Sequence, residues 1–153
     1  MFKNALVIIF LLTSFFYSNA QQTDYYVKKG FAIAGYDITS YFEDAPQEGS
    51  NEFVYEFDGT KFKFVSQENL EKFKANPEEF LPQYGGYCAY AIAYKGKKYK
   101  VNPETYEIRD GKLYLFYNAG RNNTLEKWIA EDPEKLRGLA DAAWTKVKYK
   151  KSK

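Results

Sequence analysis

Apolar residues fall into three kinds of run along this chain. They are nearly continuous from Ala5 to Tyr17, alternate with polar residues through the middle, and recur every three or four residues near the end. The alternating part predicts a hairpin. Phe53, Tyr55 and Phe57 alternate with Val54 and Glu56, Asp58-Gly59 supplies the positive φ of a tight turn, and Phe62 and Phe64 alternate with Lys61, Lys63 and Val65. Ser66 is placed to cap a helix carrying Leu70 and Phe73 on one face. Asn76-Pro77 ends that helix and starts a short second one with Phe80 and Leu81 inward. Residues 97–101 and 106–109 lead to Asp110-Gly111, a second hairpin turn into 112–117. Asn123 or Thr124 then caps a helix with Leu125, Trp128 and Ile129, and Asp132-Pro133 opens the last helix. Its apolar stripe comprises Leu136, Leu139, Ala140, Ala143, Trp144 and Val147. No internal repeat or low-complexity segment is visible. These elements predict an α+β fold: short antiparallel β-hairpins packed with several α-helices in a single small domain.

The first run reads differently. Lys3 precedes it, and Ser18-Asn19-Ala20 follows as a small-x-small cleavage site, so residues 1–20 read as a secretory signal peptide. The run is shorter than the roughly 20 residues of a membrane span, and no stable membrane anchor is expected after cleavage. The expected location is therefore exported, periplasmic or secreted. The remainder divides into an N-terminal lead at 21–34, a domain at 35–148 and a basic tail at 149–153.

Composition then restricts the chemistry. With 22 Lys and Arg against 20 Asp and Glu, the net charge is +2, which gives no electrostatic reason to expect a nucleic-acid partner. An exported chain with one cysteine has no internal disulfide framework, so packing must stabilise it. Fifteen Tyr, thirteen Phe and two Trp supply the necessary apolar area.

The lone cysteine lies in the most unusual stretch of the chain, Pro82-Gln83-Tyr84-Gly85-Gly86-Tyr87-Cys88-Ala89-Tyr90-Ala91. With no histidine and Met1 as the one methionine, Cys88 is the one soft ligand and the one strong nucleophile left after cleavage. Structural zinc requires four N or S ligands, so a closed site within one subunit is not expected. Two copies of Cys88 in a homodimer, or Cys88 with oxygens from Tyr36, Asp37 and Asn118, remain routes to a transition metal ion. Nucleophilic catalysis lacks the usual histidine base, which ranks binding above catalysis.

Gly35-Tyr36-Asp37, the 57–66 hairpin stretch, the 82–91 stretch, Asp110 to Leu115 and Tyr117-Asn118 together resemble the YHS-domain family, in particular its exported members. The similarity spans roughly residues 30–147. What the resemblance implies is metal handling, by cysteines where a strand leaves into a helix. The matching residues here are Val65-Ser66-Gln67-Glu68-Asn69, with Val65 and Asn69 in place of sulfur. The expectation is a small exported binding module that handles a metal or small ligand around Cys88, with Tyr87, Tyr90, Tyr36, Asp37 and Asn118 as surroundings. The alternatives are a thiol-dependent redox protein or sensor, and a structural interaction domain with an inert cysteine.

Overall fold

The computed structural model describes residues 20–151. The signal-peptide reading of residues 1–20 lies almost wholly outside them. Residues 21–34 are not a separate lead. Tyr25 and Tyr26 are buried, β1 (Val27–Lys28) pairs with β2 (Phe31–Ala32), and Ala32 and Ile33 have no exposed surface. The N–H of Tyr26 donates to the carbonyl of Gly85 at 2.8 Å. The beginning of the domain is thus hydrogen-bonded to the glycine pair before Cys88. It is also bonded to the end of the chain: Asp24 N–H donates to Lys148 at 2.8 Å, Lys150 N–H donates to Gln22 at 3.0 Å, and Thr23 bridges Tyr149.

Two short 3-10 turns, Ile33–Gly35 and Ser40–Glu43, lead to the first long hairpin, β3 (Ser50–Phe57) and β4 (Thr60–Phe64). Phe62 and Phe64 point inward and have no exposed surface. Ser66 caps α1 (Gln67–Ala75), its hydroxyl accepting from Asn69 N–H at 3.1 Å, and α2 (Pro77–Phe80) begins on a proline whose missing N–H costs nothing there. A 3-10 turn at Gln83–Gly86 passes into α3 (Ala89–Lys95). The second long hairpin is β5 (Asn102–Arg109) with β6 (Lys112–Phe116), followed by the small pair β7 (Asn118–Ala119) and β8 (Asn122–Asn123). Asn123 caps α4 (Thr124–Glu131), and Asp132 caps α5 (Pro133–Val147). Leu136 and Ala140 of the last helix are buried, but Leu139 is 48% exposed and Ile129 of α4 is 57% exposed, outside the stripe their spacing predicts. The described residues thus form an α+β domain of four antiparallel two-stranded sheets with helices.

Contrary to the sequence expectation, the fold repeats itself. Ala34 and Gly35, at φ 56° and 87°, lead to Tyr36-Asp37, and Gly85 and Gly86, at φ 61° and 80°, lead to Tyr87-Cys88. Asp37 N–H donates to Gln47 at 2.9 Å, and Cys88 N–H donates to Tyr99 at 3.1 Å. An eight-residue strand then starts at Ser50 in one half and at Asn102 in the other, turns at Asp-Gly, and returns as five residues. The registers share one irregularity: Ser50 faces Phe64 and Val54 faces Lys63, while Asn102 faces Phe116 and Tyr106 faces Leu115. The following helices carry Leu70-Glu71-Lys72-Phe73 and Leu125-Glu126-Lys127-Trp128, each succeeded by a helix that starts on proline.

The core follows these halves. In one cluster Phe62, Phe64, Tyr55 and Phe57 surround Phe73; in the other Tyr114 and Phe116 surround Trp128. Cys88 belongs to the first cluster and its neighbour Ala89 to the second, so the cysteine lies at the seam.

Candidate functional site

The repeat sets Asp37 and Cys88 at equivalent places, each facing the start of a helix. Asp37 is fully buried, and its carboxylate accepts four hydrogen bonds. Thr39 gives two, from N–H at 2.8 Å and from its hydroxyl at 2.7 Å. Val65 N–H at 2.9 Å and the Asn69 side-chain amide at 2.8 Å give the others. Val65 and Asn69, the positions where the resemblance expects sulfur, therefore both donate to Asp37. Every lone-pair direction of this carboxylate is used within the fold, which makes Asp37 a pin between the first turn and α1.

Cys88 is the corresponding residue of the second half, and Thr124 corresponds to Asn69. Cys88 Sγ lies 3.3 Å from Thr124 Oγ1, whose own hydroxyl donates to the Tyr117 carbonyl at 2.8 Å. With that hydrogen committed, the thiol is the donor of the pair. Cys88 exposes none of its surface. It is free, and among the described residues no group of three or more His, Cys, Asp or Glu is placed to hold a metal ion.

Where the first half is closed by Asp37 and its partners, the second half opens into a cleft of about 540 Å³ that reaches Cys88. Four rings line it: Tyr90 and Tyr94 from α3, Tyr99 from the loop after it, and Tyr117 from between β6 and β7. Lys95, Lys100 and Lys127 join them. Asn122 and Thr124 contribute neutral polar groups. The local sequence explains the opening. α3 runs a turn longer than the Ser40–Glu43 turn at the same place in the first half, and it carries tyrosines outward one turn apart. Tyr90 and Tyr94 consequently stack with ring centroids 5.5 Å apart. Tyr94 is 67% exposed and Tyr99 41% exposed.

Compared with known proteins, the chain matches no family model, no curated protein and no solved structure. The site therefore stands on its own geometry.

Of the residues expected around Cys88, Tyr90 lines the cleft with it. Its hydroxyl donates to Glu131 at 2.6 Å, and that hydrogen bond, with burial and the carboxylate charge, pushes its pKa up to about 12. Tyr90 is hence a neutral donor at physiological pH. Tyr87 turns the other way, packs edge-on against Tyr26 and donates to the Tyr25 carbonyl at 3.3 Å. Burial, then the Asp24 charge, pushes its pKa to about 12. Tyr36 donates to Glu104 at 3.3 Å on the first half, where burial and the Glu104 and Glu48 carboxylates raise its pKa. Asn118 donates to Thr105 at 3.1 Å. The structure brings Cys88 and Tyr90 together and leaves Tyr87, Tyr36, Asp37 and Asn118 off the cleft wall. Sequence reasoning missed Tyr94, Tyr99, the three lysines and Thr124. One signal was available, the i and i+4 spacing of Tyr90 and Tyr94 behind a cluster of small buried residues.

The Gly85-Gly86 pair serves the backbone. A Cβ on Gly85 would stand 2.5 Å from the Asp24 carbonyl oxygen, and one on Gly86 would meet Ile33 Cδ1. The glycines let two chain segments touch; they do not line the cleft.

Proposed function

We propose that this chain is an exported binding module that takes a small ligand in the cleft beside Cys88. The cleft carries this reading: its volume falls within the roughly 300–1,000 Å³ of small-molecule sites, and it pairs apolar rings with a few polar groups. The pattern of residues 1–20 supports export, and the resemblance to exported YHS-domain proteins supports a non-catalytic module. In this reading Cys88 borders the cleft with its sulfur covered beneath the lining. Its thiol is covered and donates to Thr124. A metal held between two copies of Cys88 would require the cleft floor to open, since the sulfur reaches no surface.

The test is heteronuclear NMR of the folded protein with a set of small planar apolar fragments. Expected shift changes cluster on α3, on Tyr99 and Lys100, and on residues 122–127. The Cys88→Ala variant should bind the same fragments within about threefold, because the covered sulfur lies beneath the lining and makes no contact with the ligand. No clustered shifts at millimolar fragment would sink the binding reading. Loss of binding in Cys88→Ala, with the fold intact, would return the thiol-dependent reading to the front.

A further inference from the structure

Resting on the binding reading above, the charge and shape of the cleft say what kind of ligand it takes. We infer that the occupant is an organic anion with a flat apolar body, held by stacking on the tyrosines and by the lysine ammonium groups at the mouth.

Three observations carry this. The first is the charge of the wall. Lys95, Lys100 and Lys127 line the cleft, and no aspartate or glutamate does. On a chain whose net charge is only +2, three like charges around one opening are a local excess. The second is that these lysines lack counter-ions among the described residues. The ion pairs there belong to Lys72, Lys74, Lys98, Arg109 and Arg137. Neither Glu131, which accepts from Tyr90 at 2.6 Å, nor Glu126, which accepts from Asn123 at 3.1 Å, forms an ion pair with Lys95, Lys100 or Lys127 among the described residues. The Lys95 ammonium sits over the ring of Tyr99, another lining residue, at 5.2 Å. The third is the comparison between halves. In the first half the equivalent place is filled by the protein's own carboxylate, Asp37, with Thr39, Ser40 and Asn69 buried around it. In the second half Cys88 and Thr124 replace Asp37 and Asn69, and Lys95, Lys100 and Lys127 line the cleft beside them. An anion entering the second half supplies the negative charge that the first half carries in its chain.

The stacked Tyr90–Tyr94 pair and the exposed Tyr99 ring fix the shape of the body. Exposed rings gain by burying their faces against another flat surface. A bare inorganic anion would leave those faces wet; a neutral aromatic would leave the lysines uncompensated.

Two dyes with the same body separate charge from shape: anilinonaphthalene sulfonate, and N-phenyl naphthylamine, which lacks the sulfonate. Each is titrated into the folded protein at low ionic strength and followed by dye fluorescence. The expected result is about tenfold tighter binding of the sulfonate, the combined effect of several partly exposed charge pairs, fading as salt is raised. Replacing Lys95, Lys100 and Lys127 together by Gln should abolish that preference and leave the neutral dye unchanged. Lys112→Gln, an exposed lysine away from the cleft, should change neither. Equal affinities for the two dyes, both lost when Asn122→Trp crowds the cleft, would overturn the anion inference and leave the binding site standing. A sulfonate preference that survives the triple substitution would also overturn it. Failure of both dyes to bind would overturn the inference and the binding reading together.

Discussion

Replacing Asp37 by alanine tests whether that residue is a structural pin or part of a ligand site. Its carboxylate receives four hydrogen bonds at 2.7 to 2.9 Å in a place with no exposed surface. The Thr39 hydroxyl can rotate to another acceptor once the carboxylate is gone. The N–H groups of Thr39 and Val65 cannot, because the backbone holds them, and the buried Asn69 amide makes no other hydrogen bond in the fold. Three stranded donors, each toward the lower part of the roughly 1–3 kcal/mol range, give a cost of about 4 kcal/mol. That is a large part of the roughly 5–15 kcal/mol that stabilises a domain of this kind. Urea unfolding followed by Trp128 and Trp144 fluorescence reads it directly. With a slope of about 2 kcal/mol per molar, the midpoint should fall by about 2 M without a change of slope. Asn69→Ala removes one of the three stranded donors, so it should cost about 1 kcal/mol less in the Asp37→Ala background than in the parent. A midpoint shift below about 0.5 M would refute the argument that these bonds hold the first turn to α1. So would a variant that stays folded but loses cleft binding, since Asp37 would then act on the ligand.

Two further predictions concern the glycine turn and the tyrosines. Gly85→Ala forces a side chain into a left-handed backbone at φ 61° and against the Asp24 carbonyl; it should cost more than the ~1 kcal/mol of the φ penalty alone, and the denaturation midpoint measures it. Burial, then nearby carboxylates, raises Tyr25 to about 12, and burial, then the Asp141 hydrogen bond, raises Tyr84 further. Because the folded values lie above the ordinary 10.0, the stabilisation is complete below pH 10 and is lost as pH climbs through about 12. Tyrosinate absorbance and loss of folded circular dichroism should therefore coincide in one alkaline step, and buried tyrosines titrating in a still-folded protein would refute the burial argument.

The elements most legible in the sequence were those with a local chemical signature. Asp58-Gly59 and Asp110-Gly111 turn their hairpins, and Ser66, Asn123 and Asp132 cap the helices they precede. Residues 21–34 escaped because two-residue strands have no period to read, and because Tyr25 and Tyr26 are buried by contacts with segments some sixty residues away. The repeat escaped because what it preserves is backbone geometry. Its two halves share few residues, and the β7–β8 pair lengthens the second path from strand to helix. The cleft was legible only at Cys88 and Tyr90. Lysine and tyrosine at Lys95, Lys100, Lys127 and Tyr99 read as ordinary solvated surface until the loop after α3 and the start of α4 are brought together.

The pairing of Gln22–Asp24 with 148–150 has a mechanical meaning. The two segments run antiparallel, and both ends leave from the same edge. Force applied between them opens the contacts one bond at a time, like a zip, so the ends detach long before the hairpins are loaded. The same closeness makes the path nearly circular. A short peptide could join residues 22 and 150, and the chain could be cut instead at the Asp110-Gly111 turn, where a Cβ on the glycine would meet nothing. Such a permuted protein would move the free ends to the far side of the second hairpin and leave the cleft lining untouched.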